Sequence, residues 1–286
     1  MTTETQTSAP VLPAALRMGA VELTVTDLDR SVHFYETAIG LVPRGRDGDR
    51  ATLGTDDEDL LVLVEDPDAR RAGRHSGLYH FALLMPSRLE LARAAARLAI
   101  TRTRISGASD HGISEAIYLP DPDDNGIELA ADRGREHWGD LRDPTTIGGP
   151  EPLDLAGLMS LVEDEEPHAH VDPATTVGHV HLHVGDIDRG LAFYRDVIGF
   201  EVMTLLDSAA FVAAGGYHHH LGFNIWRGPN VPPAPPGTVG LREWTVVLPE
   251  AADVDAVTAR LDAAGIAHED GLTADPWGNA VRFVSS

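Results

Sequence analysis

The chain contains no cysteine. That excludes disulfides and thiolate metal sites, fits a reducing cytoplasm, and leaves histidine and carboxylate as the only strong metal ligands on offer. No apolar run approaches the roughly 20 residues of a membrane span. The first 13 residues lack the basic and apolar regions of a secretory signal and read, to about residue 15, as a disordered tail. Basic residues are scarce, 22 Lys and Arg against 45 Asp and Glu, for a formal net charge of −23. Such a field repels nucleic acid and anionic membranes, so neither is expected as a partner. Solubility alone accounts for the acidity.

What is present is a repeat. Residues 19–41 (GAVELTVTDLDRSVHFYETAIGL) and 178–200 (GHVHLHVGDIDRGLAFYRDVIGF) match at a constant offset of 159, sharing Val21, Leu23, Val25, Asp27, Asp29, Arg30, Phe34, Tyr35, Ile39 and Gly40. Each copy alternates apolar and other residues as a half-buried strand does, then an Asp caps a helix that a Gly ends. A second pair matches too, Leu78–Leu98 with Leu241–Leu261, each a strand, a Pro break and an Ala/Leu-rich helix. Each is followed by an Asp-Pro turn and a last strand: Asp121-Pro122 through Asn125 to Glu128, and Asp275-Pro276 through Asn279 to Phe283. The reading is an α+β chain of four βαβββ modules, at about 16–66, 76–132, 177–228 and 240–286, forming two paired, cup-shaped mixed sheets. The N-terminal domain spans 16–132 and the C-terminal domain 177–286. Residues 133–176 connect them, with one short helix expected near Leu153–Val162.

These segments resemble the vicinal oxygen chelate superfamily, over nearly the whole chain apart from tail and connector: the strand, the Asp-Leu and Phe-Tyr helix ending in Gly, and the later D-P-x-x-N-x-I-E-L. That superfamily holds glyoxalases, resistance proteins, epimerases and extradiol dioxygenases, so its fold does not name the chemistry. The resemblance implies metal ligands early in a module's first strand and late in its last. His80 and Glu128 occupy these positions in module two, and His179 the first-strand position of module three. The matching positions elsewhere hold Ala20, Glu243 and Arg282, which make no metal set. Two His and one carboxylate form the facial triad of non-haem Fe(II) oxygenases, with Mn(II) the alternative ion. Modules two and three should therefore pair around the metal, whereas extradiol enzymes more commonly carry all three ligands in the C-terminal half.

The same resemblance implies three proton-handling residues. Extradiol dioxygenases carry D-H-x-x-S, a Tyr, and a turn before the Glu; here these read Asp110-His111-Gly112-Ile113-Ser114, Tyr118 and Asp121 to Glu128, with Asp124 where Gly is usual. They also carry a His four residues before a Phe, which selects His219 before Phe223. His111 would hold a substrate oxygen, Tyr118 would hydrogen-bond or deprotonate a hydroxyl, and His219 would exchange a proton on the O₂ side. If His219 lies on a strand, His218 and His220 leave by the other face and read as packing residues. His181 and His183 share a face with His179 and line the cup without ligating. A lone strand His is more often packed than ligating; here three coincide at positions the repeat defines.

The expectation is an Fe(II)-dependent extradiol dioxygenase that takes an aromatic vicinal diol and O₂. The alternatives are a glyoxalase-like metal-dependent isomerase and a non-enzymatic binding or resistance protein. Paired-module folds often dimerise, which admits a homo-oligomer without the sequence fixing the state.

Overall fold

A computed structural model describes residues 11–143 and 150–286. Four modules repeat one pattern. The first comprises β1 (Arg17–Val25), α1 (Leu28–Phe34), β2 (Val42–Asp47), β3 (Arg50–Gly54) and β4 (Asp59–Glu65). The second has β5 (Gly77–Met85), α2 (Arg88–Ile100), β6 (Gly107–Asp110), β7 (Ser114–Pro120) and β8 (Gly126–Asp132). The connector contributes β9 (Glu151–Pro152) and α3 (Leu155–Met159), which runs on as a tight turn over Ser160–Val162, where the short helix was expected. The third has β10 (Thr176–His183), α4 (Ile187–Leu191), β11 (Glu201–Leu206), β12 (Ala209–Ala213) and β13 (Leu221–Asn224). The fourth has β14 (Gly240–Leu248), α5 (Ala251–Ala263), β15 (His268–Glu269), β16 (Leu272–Ala274) and β17 (Ala280–Ser285).

Local chemistry sets the module starts. Asp27 and Asp186 sit in extended backbone, and their carboxylates accept from Arg30 N and Arg189 N, capping α1 and α4. Both helices widen into a π-helical turn and end on Gly40 and Gly199, at φ 86° and 102°, where a residue with a Cβ would be strained.

Each sheet takes one module from each half of the chain. Modules one and four make an eight-stranded sheet in the order β15-β16-β17-β14-β1-β4-β3-β2. Modules two and three make a nine-stranded sheet, β11-β12-β13-β10-β5-β8-β7-β6-β9. In both, two first strands pair antiparallel at the centre, and each is flanked by the parallel last strand of its own module. A continuous apolar core, from Leu12 to Phe283, joins all four modules. Leu12 is a correction to the expected tail: its side chain is buried and its N–H donates to Gly199 O at 2.8 Å, so order begins earlier than residue 16. The remainder of the expected tail, residues 1–10, lies outside the described residues.

The Phe-Tyr and Asp-Pro motifs are clasps between consecutive modules. Tyr35 OH donates to Asp121 Oδ2 at 3.0 Å, and Tyr194 OH to Asp275 Oδ2 at 3.0 Å. Each Asp also folds its own turn. Asp121 Oδ1 accepts from Asp123 N and Asn125 N, both at 2.8 Å, while Asn125 Nδ2 donates to Oδ2. Asp275 repeats this with Trp277 and Asn279. Asp124, in the place usual for Gly, adopts φ 67°, a left-handed conformation that Asp tolerates, so the turn is kept.

Removing one clasp hydroxyl leaves the buried carboxylate with one donor fewer. Tyr35→Phe and Tyr194→Phe are each expected to cost about 1–2 kcal/mol, read as a lower urea midpoint at unchanged m-value.

Candidate metal centre and active site

Three neighbouring strands set out the ligands. On β5, Ala82 lies opposite His179 of β10 on one side and Glu128 of β8 on the other. His80 is two residues earlier on β5, on the same face as Ala82. The fully buried Ala82 is the floor of this row, and a longer side chain would project between the ligands. His80 Nε2 lies 3.2 Å from His179 Nε2 and 3.0 Å from Glu128 Oε2; His179 Nε2 lies 3.2 Å from Glu128 Oε2. All three residues are buried.

The chemistry of this triangle fits a metal-ligand set. Two imidazole nitrogens facing each other at 3.2 Å cannot both carry a proton, yet each also faces one shared carboxylate oxygen. Three ligands on one face of an octahedron, with bonds of about 2.1 Å at right angles, stand about 3.0 Å apart. The observed edges match that spacing. Burial alone would push the Glu128 carboxyl up, but His179 and His80 outweigh it and hold the group well below its ordinary range. No other such cluster of His and acidic groups occurs among the described residues.

The second cup shows what replaces a metal. Arg282 meets Glu243 in a fork, Nε to Oε1 at 2.7 Å and Nη2 to Oε2 at 2.9 Å, at the positions matching Glu128 and His80. Beside them Glu22 accepts from Arg242 at 2.9 Å and Arg50 at 2.6 Å. Modules one and four thus satisfy their sheet face with ion pairs.

All three proton-handling candidates converge on the triad. The His219 ring lies 4.1 Å from the His179 ring and 5.0 Å from Phe211. Tyr118, cross-strand from Glu128, has its ring 5.6 Å from His80, and its hydroxyl is 2.9 Å from His111 Nε2. Burial, then the Glu128 charge, raises the Tyr118 phenol above its usual value, so it stays protonated and serves as a hydrogen-bond partner. Burial lowers His111, keeping it neutral.

One expectation about the other histidines needs amending, and one gains a partner. Residues 214–220 form a turn rather than a strand, so alternation does not apply, and His218 does not leave by the opposite face. Its Nδ1 lies 2.9 Å from His219 Nδ1, and its Nε2 lies 3.0 Å from Asp132 Oδ1. His181 and His183 do face the cup, but Asn224 holds them both: Asn224 Nδ2 donates to His181 Nε2 at 2.9 Å, and His183 Nδ1 donates to Asn224 Oδ1 at 2.8 Å. Gly222 makes room for this, since a Cβ there would stand 3.0 Å from the His181 ring. Asp132, Asn224 and Phe211 went unnoticed in the sequence. Only Asp132 left a signal, being four residues beyond Glu128 on the same strand face.

The rings of His80, His179, His219, Phe211 and His181 close a loop about the cup, with Tyr79 and the half-exposed Trp226 at its edge. The family model for the glyoxalase/bleomycin resistance protein/dioxygenase superfamily matches residues 17–129 and 176–285. The chain belongs to this superfamily. A catechol-2,3-dioxygenase of Bacillus subtilis is 43% identical over 258 residues, covering 88% of this chain and 90% of that protein. At that likeness the chain is a catechol-2,3-dioxygenase-like enzyme of the superfamily. Solved structures share the fold. One described as a putative dioxygenase from Bacillus subtilis has a TM-score of 0.63 at 10% identity, covering 97% of this chain and 86% of its own. Glyoxalase I of Zea mays has a TM-score of 0.58 at 19% identity, covering 95% and 92%.

The cup's neutral histidines carry a pH signature. Burial, then Arg227, lowers His183 to about 4, and burial, then His218, lowers His220 to about 3. In the unfolded chain both titrate near 6.5, so below that pH the unfolded state binds protons that the folded state refuses. Stability of the metal-free protein should therefore be intact above pH 6.5 and fall as pH drops toward 4, by about 1.4 kcal/mol per pH unit for each histidine. Urea midpoints between pH 7 and 4.5 give this slope, and His183→Gln or His220→Gln should flatten it.

Proposed function

We propose that the chain is an Fe(II)-dependent extradiol dioxygenase that opens the ring of catechol or a related vicinal aromatic diol with O₂. The observation carrying this reading is the buried triangle of His80, His179 and Glu128, with His219 stacked against one ligand and Tyr118 against another. The likeness to a catechol-2,3-dioxygenase supports it. His80, His179 and Glu128 would hold the metal, either Fe(II) or Mn(II), at the floor of the cup where the diol and O₂ bind. When bound, the ion supplies Lewis acidity that lowers the pKa of a diol hydroxyl and the redox chemistry that engages O₂.

The side chains do the rest. Tyr118, protonated and oriented by His111, donates a hydrogen bond to one diol oxygen and holds the ring in register. His219, neutral because it is buried among other imidazoles, takes a proton from the substrate and returns it later. The aromatic loop around the cup excludes water and packs the faces of a flat ring. His111 and Tyr118, adjoining the triad from β7 and the turn before it, have no task in a resistance protein that only sequesters its ligand.

Anaerobic loading with Fe(II), followed by catechol and air, should give a yellow ring-fission product; a loaded enzyme that leaves a panel of vicinal diols intact rejects the reading. His80→Ala, His179→Ala and Glu128→Ala should each lose iron, as measured by metal analysis after gel filtration, because two ligands hold Fe(II) poorly.

His219→Gln should keep iron and diol binding while turnover falls roughly 10²–10⁴-fold. Turnover close to that of the unaltered enzyme would remove His219 from proton transfer.

A further inference from the structure

Behind His219 runs a line of hydrogen bonds that the metal set does not use. Tyr217 OH donates to Asp132 Oδ2 at 2.8 Å. Asp132 Oδ1 is 3.0 Å from His218 Nε2, and His218 Nδ1 is 2.9 Å from His219 Nδ1. His218 is buried, and Trp138 of the connector covers the line, its ring 5.1 Å from His218 and 5.7 Å from Tyr217. Trp138 is itself anchored by Nε1 donating to Arg133 O at 2.8 Å, and it packs with Leu141, Met203 and Ala213 in a small apolar cluster separate from the main core.

The donors and acceptors along this line can be assigned by counting. An ionised carboxylate only accepts, so His218 must carry its proton on Nε2. A His218 carrying this single proton has a bare Nδ1, which accepts. The partner at 2.9 Å, His219 Nδ1, must therefore be the donor. With its single proton on Nδ1, neutral His219 has only Nε2 left for the cup, and that nitrogen is bare.

We propose that Asp132, acting through His218, is a positioning residue that sets the tautomer of His219 and so makes its Nε2 a proton acceptor. This rests on the reading of His219 as the acid–base group. With its Nδ1–H committed to His218, the nitrogen of His219 that can bond to a proton leaving a diol hydroxyl is Nε2, and a proton bound there leaves the Nδ1–H to His218 bond in place. The far carboxylate both selects the tautomer and stabilises the cation. Tyr217 fixes the second carboxylate oxygen, so the carboxylate cannot rotate away from His218.

Asp132→Asn tests this directly. With Tyr217 OH still donating to the amide oxygen, the amide turns its N–H to His218 Nε2, which accepts only without its own proton; the proton then sits on His218 Nδ1, and that of His219 moves to Nε2. Asp132→Leu, with neither donor nor acceptor, removes the anchor whichever way the amide turns. In the Zn(II)-loaded chain, a diamagnetic stand-in, ¹⁵N imidazole shifts assigned with His219→Gln should show Nδ1–H at His219. The Nε2–H form should appear in Asp132→Asn. With Fe(II), Asp132→Asn should lower kcat roughly 10–100-fold with KM for catechol within about twofold and iron content unchanged. Asp132→Glu should recover most of the loss, and Tyr217→Phe, a milder change, should show a smaller fall. Asp132→Asn combined with His219→Gln should be no slower than His219→Gln alone. An unchanged His219 tautomer or a normal kcat in both Asp132→Asn and Asp132→Leu, or a loss of iron or of Tm that accounts for the lost activity, would each overturn the proposal. If His219→Gln is slow while Asp132→Asn is not, the relay fails and the dioxygenase reading stands; if His219→Gln itself turns over normally, the acid–base reading beneath it fails.

Discussion

The antiparallel pairing of β5 with β10 is the contact on which the site depends. It joins the two halves of the chain at the centre of the nine-stranded sheet, and its register decides what faces what. With His181 opposite His80 and His179 opposite Ala82, two imidazoles from different halves lie diagonally across one small residue. Glu128 completes the row because β8 runs parallel to β5 with Glu128 beside the same alanine. A slip of one residue would send β10's histidines to the other face and leave His80 and Glu128 without His179.

Burial then sorts the histidines by role. The cup gathers many imidazoles around one ionised carboxylate, and desolvation makes a positive charge costly there. His181, His183, His219 and His220 are all held neutral, with burial the first cause in each case. Neutral rings can stack, accept and donate one hydrogen bond each, and pack against Phe211 and Tyr79 as hydrophobic walls. The chain's large negative charge lies elsewhere, and nearby arginines neutralise it in the cup that has no metal set.

Much of this was legible in the sequence because duplication makes positions comparable. His80 and Glu128 stand out against Glu243 and Arg282, and His179 against Ala20, and the structure puts the first set in one triangle and the second in an ion-paired cup. The motif residues were less legible. Tyr35 and Tyr194 stand in the sequence only as part of a Phe-Tyr helix, since no local pattern tells that a hydroxyl will reach an Asp some 80 residues on. The segment 214–220 was misread by extending strand alternation two residues too far back from Leu221, and that hid the bond between His218 and His219. Asn224 was invisible for a different reason: its task exists only where two parallel strands bring His181 and His183 alongside it.

The ligand triangle also acts as a cross-link in a protein without cysteine. It ties residue 128 to residue 179, closing a loop that contains the whole connector, and it bridges strands from opposite halves of the chain. During synthesis His80 and Glu128 emerge first and form an incomplete pair. The third ligand arrives only after the connector has been made and β10 has found β5. Metal capture would therefore report on a finished fold: a chain halted or cleaved within the connector has no complete set of these three residues, so a metal ion is withheld from fragments.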